Sequence, residues 1–326
     1  MVKIYSKKDL VQANLSLDEV LSNIEECYRL DALGKVEVPN KIGVHPEYKN
    51  SFLHAMPASI TGENSAVGLK WVSYYPGNSE RGLEESRGLI ILNCPKTGAM
   101  KSVMEGMYIT FLRTVACAVV AAKKIVSEPK VLSLVGCGGL GTWSLRFFLH
   151  AFPSIEKVYV LSKRPESREA FVQENLADFP NVELVPSGDV ANTLIESDLV
   201  VSSLPPTETP PIKQGLLKEN SVFIPLDLKN SWDKNLYSDF DHVYMDNKVG
   251  FDLIIKNKTG IDLDNSKIHE IKELVSGSSF NEINKGISLV AVCGIASTDV
   301  FLSNYIFEKI KDKNLGVDFC FQRGME

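Results

Sequence analysis

The stretch "VLSLVGCGGLGTWSL" constrains the fold of this chain more than any other. An apolar run ends at Gly136, and Gly136, Gly138 and Gly141 follow in G-x-G-x-x-G spacing. The residues after them read as the opening of a helix. Gly136 allows a tight turn, and Gly138 leaves room for a pyrophosphate against the backbone. Gly141 lets helix and strand pack closely, while the helix N-terminus supplies amide donors and a positive dipole end. Gly139 and Leu140 belong to the same expected phosphate loop. Alone, the spacing is compatible with a glycine-rich turn that holds no ligand. The strand before it and a second strand after it favour a dinucleotide site.

From Lys130 onward the chain alternates between two periodicities. "VLSLVG", "KVYVLS", "VELV", "DLVVSSL", "SVFIPLD" and "HVYMD" read as strands. "GTWSLRFFLHAF", "ESREAFVQENLADF" and "VANTLIES" read as helices between them. Such alternation predicts a parallel sheet covered on both faces. The chain ahead of it differs. "NLSLDEVLSNIEECYRLDALGK" carries a capping box at Ser16 and Glu19, helical spacing of apolar residues, and a stop at Gly34. Residues 51 to 105 hold short β-leaning runs broken by turns, which predicts a small antiparallel or mixed sheet. "MYITFLRTVACAVVAAKKI" reads as a buried helix and "VSEP" as a linker. The last amphipathic run, "DVFLSNYIFEKIKDK", is expected to cross back to the first domain. The prediction is therefore α/β: a doubly wound parallel Rossmann sheet, 127–300, inserted in a mixed α+β domain, 1–126 with 301–326.

The bulk numbers exclude several classes of function. The chain has 326 residues and a net charge of −6, with a pI near 5.6. That balance argues against a nucleic-acid partner. The six cysteines form no C-x-x-C pair and the five histidines show no ligand spacing, so no metal is expected. No secretory h-region follows the first charges. The longest apolar stretches are expected to fall far short of the ~20 residues a membrane span needs. A cytoplasmic protein is the resulting expectation.

The second Rossmann strand runs into "SKRPES". An acidic residue near such a strand end accepts bonds from the NAD ribose, whereas a 2′-phosphate is held by cations and hydroxyls. Ser162, Lys163 and Arg164 therefore predict NADP(H) over NAD(H); the alternative is a solvated turn. Ligands of this fold lie outside the carboxyl ends of the strands. That rule adds Ser203 and Leu204, after "DLVVS", to the cofactor set. It also makes Asp227, after "SVFIPL", a candidate acid or base, with a turn or helix-cap aspartate as the equal alternative. Lys70 and Arg113 are cations inside apolar runs. Facing a cleft they hold an anionic substrate; otherwise each needs an internal salt bridge.

These residues resemble the ornithine cyclodeaminase/mu-crystallin family, from the first helix to "GIASTD". The strongest block is "GLKWVSYYPGNSERGLEESRGLIILNCPKTG", followed by "EGMYITFLRTVACAVVAAKK" and the glycine loop. Within the family it looks most like the branch that oxidises N-(2-amino-2-carboxyethyl)-glutamate to make 2,3-diaminopropionate for siderophores and antibiotics. The resemblance implies a substrate and dimerisation domain carrying an inserted Rossmann domain, a homodimer, and a small amino-acid or imino-acid substrate. It implies that Lys70 contacts the reacting substrate and that Arg113 and Lys41 bind its carboxylate. It also implies Thr114 near the cofactor phosphates, Asp227 in catalysis, and Gly294, in "GIASTD", beside the nicotinamide.

The chain departs from the family pattern in three places. Leu140 and Gly141 replace a Gln and a small residue in the loop. Glu84 and Glu85 stand where cyclodeaminases carry a Pro-Thr pair, which makes Glu85 a candidate reader of the substrate side chain. Ser162-Lys163-Arg164 replaces the ribose-binding Asp and looks more like an NADPH-using ketimine reductase. The expected activity is an amino-acid dehydrogenase or imine reductase. The alternatives are a cyclodeaminase that turns ornithine into proline and ammonia, and a nucleotide-binding protein without catalysis.

Overall fold

The structure is a computed structural model that describes residues 1–48, 50–260, 264–277 and 285–320. The chain divides into two compact units, Met1–Arg113 with Gly294–Glu326, and Thr114–Cys293. The boundaries expected from sequence, 126/127 and 300/301, stand further along the chain. The linker was sought after the helix Gly106–Ile125, whereas the division falls within that helix.

The first unit is built on an eight-stranded sheet. Its order is Val317–Phe319, Val2–Tyr5, Met100–Glu105, Ser86–Asn93, Ala66–Tyr74, Phe52–Ile60, Val36–Glu37, and Ile42–Val44 also pairs with Phe52–Ile60. Val2–Tyr5 runs parallel to Met100–Glu105, and the other pairs are antiparallel. Side chains alternate across a strand, so residues two apart share a face. In Ala66–Tyr74 the buried set is Ala66, Gly68 and Lys70. Lys70 lies opposite Met56 on one side and Ile90 on the other, both buried. The strand period thus forces an ammonium into an apolar layer.

That layer is covered by the helix Ala296–Ile310, which packs on the three central strands and on the helix Leu17–Ala32. Leu17–Ala32 starts at the anticipated capping box. Ser16 Oγ accepts from the Glu19 amide at 3.2 Å, and Glu19 Oε2 accepts from the Ser16 amide at 2.9 Å. Its buried face is Val20, Leu21, Ile24, Cys27 and Tyr28. The left-handed Gly34 follows its end.

The second unit is an eight-stranded sheet in which every neighbouring pair is parallel. Its order is Glu183–Ser187, Lys157–Leu161, Val131–Val135, Leu199–Ser202, Val222–Pro225, Ile287–Ala291, Phe240–Met245, Ile268–Glu270. The α/β expectation holds. Chain order reverses between Val131–Val135 and Leu199–Ser202, which opens the crevice where ligands of such sheets bind. The strands Ile287–Ala291 and Ile268–Glu270 and the helix Lys248–Thr259 were not anticipated. Ile287–Ala291 enters the sheet from far along the chain, between Val222–Pro225 and Phe240–Met245.

One expectation from apolar run lengths needs correction. The helix Gly106–Ile125 is long and apolar enough, by length and composition, to cross a membrane. Its residues are mostly buried inside the protein, Ile109, Leu112 and Val115 to Ala122 among them.

The closeness of the strands gives a test. A Cβ at Gly68 would stand 2.4 Å from the Ile91 carbonyl oxygen, a backbone atom that cannot swing away. Gly68→Ala is expected to cost about 1–3 kcal/mol, read as a lower urea midpoint. Gly138→Ala, whose Cβ would meet nothing within 4 Å, should leave the midpoint unchanged.

Candidate functional site

Lys70 and Arg113 converge on one atom in the first unit. Lys70 Nζ donates to Asp299 Oδ1 at 3.0 Å, and Arg113 Nε donates to the same oxygen at 2.9 Å. Side-chain exposure is 2% for Lys70, 6% for Arg113 and 0% for Asp299. The internal salt bridge left open by the sequence is therefore present for both cations. The two cations thus share one carboxylate oxygen within a buried layer. Asp299 Oδ2 is buried and has no hydrogen-bond partner among the described residues.

Burial pushes Lys70 down to about 8. The positive charges of Arg113 and Lys41 add to that, while Asp299 pulls the other way. Lys41 precedes the strand Ile42–Val44 and also helps burial hold His54 near 4. The three cations expected to meet the substrate, Lys70 at its reacting centre and Arg113 and Lys41 at its carboxylate, thus act on one another electrostatically. Such a cluster can stabilise an anion that arrives without its water shell.

Gly294, expected near the nicotinamide, lies against this cluster. Its φ is +81°, and a Cβ there would come within 3.1 Å of Arg113 Nη1. Glu85, expected to read the substrate, braces its own loop. Its Oε1 accepts from the Gly77 amide at 3.1 Å and the Ser79 hydroxyl at 2.9 Å. A loop with two glycines and Pro76 needs such a brace, and the linear sequence does not show it.

In the second unit the glycine loop has the geometry a pyrophosphate requires. Gly136 has φ +123°, and a Cβ there would meet the Ser203 carbonyl oxygen at 2.7 Å. At Gly141 a Cβ would stand 2.3 Å from the Gly136 carbonyl oxygen. Gly138, by contrast, faces open space. It caps the helix Gly139–Ala151 without any side-chain bond. Gly139 and Leu140 form the first turn, whose amides no side chain caps. These residues fit a dinucleotide. Thr114, the first residue of this unit, is buried in the helix after Arg113.

A cleft of about 360 Å³ lies at the carboxyl ends of these strands. Ser162, Lys163 and Leu204 line it as expected, together with Arg168, Ser187 and Thr207. No carboxylate is among the lining residues. Arg164 is not among them either; it is exposed and caps the helix Pro165–Asn175. Arg168, one turn further on, was missed, and the four-residue spacing from Arg164 was its only signal.

Asp227 sits in the turn after Val222–Pro225. Its Oδ2 accepts from the Leu204 amide at 2.8 Å and its Oδ1 from the Ser231 hydroxyl at 2.9 Å. Ser231 in turn shares a 2.7 Å bond with the Ser202 hydroxyl. Burial pushes the Asp227 carboxyl up, and these bonds from Leu204 and Ser231 oppose it. The next residue, Leu228, has φ +62°, a strained value for leucine. Asp227 is thus a turn aspartate whose proton affinity burial raises, which keeps it fit for acid–base work. Asp299 lay in the quoted "GIASTD" without its role; an acid inside "ASTDVFL" had to find a cation.

Comparison with known proteins follows from this geometry. Residues 1–314 match the profile of the ornithine cyclodeaminase/mu-crystallin family. The Staphylococcus aureus N-((2S)-2-amino-2-carboxyethyl)-L-glutamate dehydrogenase is 27% identical over 273 residues, 80% of each chain. The Thermococcus litoralis Δ1-pyrroline-2-carboxylate reductase, solved with NADH and L-proline, superposes with a TM-score of 0.87 at 26% identity, covering 98% of this chain and 100% of that one. An archaeal alanine dehydrogenase dimer with bound NAD gives 0.87 at 26% identity, over 98% and 99%.

The shared oxygen predicts an asymmetry in stability. Asp299→Ala removes the carboxylate that Lys70 and Arg113 share and should destabilise the protein by about 3–5 kcal/mol in urea unfolding. Adding Lys70→Met to that variant should recover a measurable part of the loss, because it removes one stranded charge.

Proposed function

The chain belongs to the ornithine cyclodeaminase/mu-crystallin family and is an NAD(P)-dependent enzyme, and from that premise we propose that it is an oxidoreductase acting on the carbon–nitrogen bond of a small amino acid or its imine. The observation that carries this reading is the gathering of two buried cations, Lys70 and Arg113, on the single oxygen Asp299 Oδ1. Cations held together in a buried site suit the carboxylate of an amino-acid substrate. The proposed cofactor is NADP(H) in preference to NAD(H), supported by the Ser162 and Lys163 lining and the lack of any carboxylate in the cleft. The related archaeal dimer supports a homodimer, and we place the protein in the cytoplasm.

The bound nicotinamide supplies or accepts a hydride. In the proposal Arg113 and Lys41 fix the substrate carboxylate, so the carbon that loses hydride is held in one orientation. Positioning of this kind is worth on the order of 7 kcal/mol at best. Asp227 takes a proton from a water that attacks the imine, and Lys70 polarises the oxygen that develops. The Staphylococcus aureus relative favours N-(2-amino-2-carboxyethyl)-L-glutamate as the substrate, which places the reaction in 2,3-diaminopropionate and siderophore synthesis. Cyclodeamination of ornithine is the second reading, since the family carries that activity in its name.

A screen of amino acids and keto acids with NADP(H) and NAD(H) side by side tests the proposal. Net change in nicotinamide absorbance is the expected outcome; ammonia release without it would establish the cyclodeaminase. Asp227→Asn should lower kcat by about 10²–10⁴-fold with cofactor affinity unchanged. The pH profile follows from Lys70. It is charged at lower pH and loses its proton as pH rises through about 8, so kcat/KM should fall on that alkaline side. Lys70→Arg, which stays charged, should flatten the limb.

A further inference from the structure

The cleft beyond Leu161 singles out one side chain that the sequence pattern passed over. Pro165 opens the helix Pro165–Asn175, which leaves Arg164 at its cap, exposed and outside the cleft. Arg168 lies one turn on and reaches back into the cleft. Its Nη1 donates to the Ser162 carbonyl oxygen at 2.9 Å, which ties the guanidinium to the end of the strand Lys157–Leu161. The group lies close over Gly188, where a Cβ would come 3.2 Å from Nη2 and 3.4 Å from Cζ. A side chain at 188 would press on the guanidinium in this position. Among the described residues Arg168 has no carboxylate partner, so one of its five N–H donors is used and the rest stay available.

We propose that Arg168 is the guanidinium that selects the 2′-phosphate of NADP(H), and that Arg164 does not. The proposal rests on the NADP(H) reading above and deepens it. A phosphate monoester presents several acceptor oxygens to a planar donor fork, which favours arginine over lysine where the fork is already anchored. The anchor here is the Ser162 carbonyl. Exposed Lys163 adds charge across the cleft from a mobile stem, and the Ser162 hydroxyl supplies a short polar contact. NADH offers this corner only a ribose hydroxyl, which cannot repay an unpaired guanidinium.

Fluorescence titration of the purified full chain with NADPH and with NADH tests the assignment. The variants are Arg168→Met and Arg164→Met. Wild type should prefer NADPH. Arg168→Met should weaken NADPH by roughly 10–100-fold, the loss of hydrogen bonds to a charged group, with NADH affinity within about twofold of wild type. Unchanged NADH binding also shows that the variant is folded. Arg164→Met should leave both affinities in place. If wild type prefers NADPH and Arg168→Met keeps that preference, the assignment to Arg168 is wrong while the cofactor reading stands. An equal loss of both cofactors in Arg168→Met makes the residue structural and also overturns the assignment. A wild type that binds NADH at least as tightly as NADPH overturns the cofactor reading and this proposal together.

Discussion

One carboxylate oxygen, Asp299 Oδ1, is bonded by both Lys70 and Arg113, and the first unit is arranged around it. The three groups come from a central strand, the long helix Gly106–Ile125 and the helix Ala296–Ile310. None can be buried without the others. A buried ion pair contributes little net stability, because desolvation offsets most of the Coulomb gain. Removing one partner is far more costly than never having had the pair. The cluster therefore acts as a constraint on how these elements meet.

The second unit shows the same economy at a different place. The turn after Val222–Pro225 holds the peptide of Leu204 at both ends. Asp227 accepts from its amide at 2.8 Å, and the Asn230 side chain donates to its carbonyl at 3.0 Å. Leu204 lines the cleft. The two sequence-level alternatives for Asp227, acid–base group and turn aspartate, are thus not exclusive. The hydrogen bonds that make it a turn residue also fix the direction of its carboxylate, and the left-handed Leu228 beside it stores the strain that such a turn requires.

How far the chain could be read in advance depended on the range of the interactions. The helix Leu17–Ala32 was legible because its cap, its apolar spacing and its glycine stop are local. The phosphate loop was legible from its glycine spacing after an apolar run; Gly141 answers the Gly136 carbonyl five residues back, whereas the demand on Gly136 comes from distant Ser203. The strand Ile287–Ala291 was not, since its place in the sheet depends on partners tens of residues away. Among side chains, Lys70 and Arg113 stood out as cations in apolar runs, but their common partner did not. Arg164 was chosen and Arg168 passed over, because only the helix path separates an exposed cap from a residue turned into the cleft.

By itself, the sequence determined the fold class, the dinucleotide loop and the set of buried cations. Each of these follows from periodicity, glycine sterics or the cost of burying charge, all of which act over short stretches. Tertiary structure alone decided that Lys70 and Arg113 share Asp299, that Glu85 braces a loop, and that Arg168 enters the cleft while Arg164 leaves it. Those outcomes depend on where distant segments meet and which way a side chain points once they do. Local sequence does not encode that direction; the packing of the folded chain does.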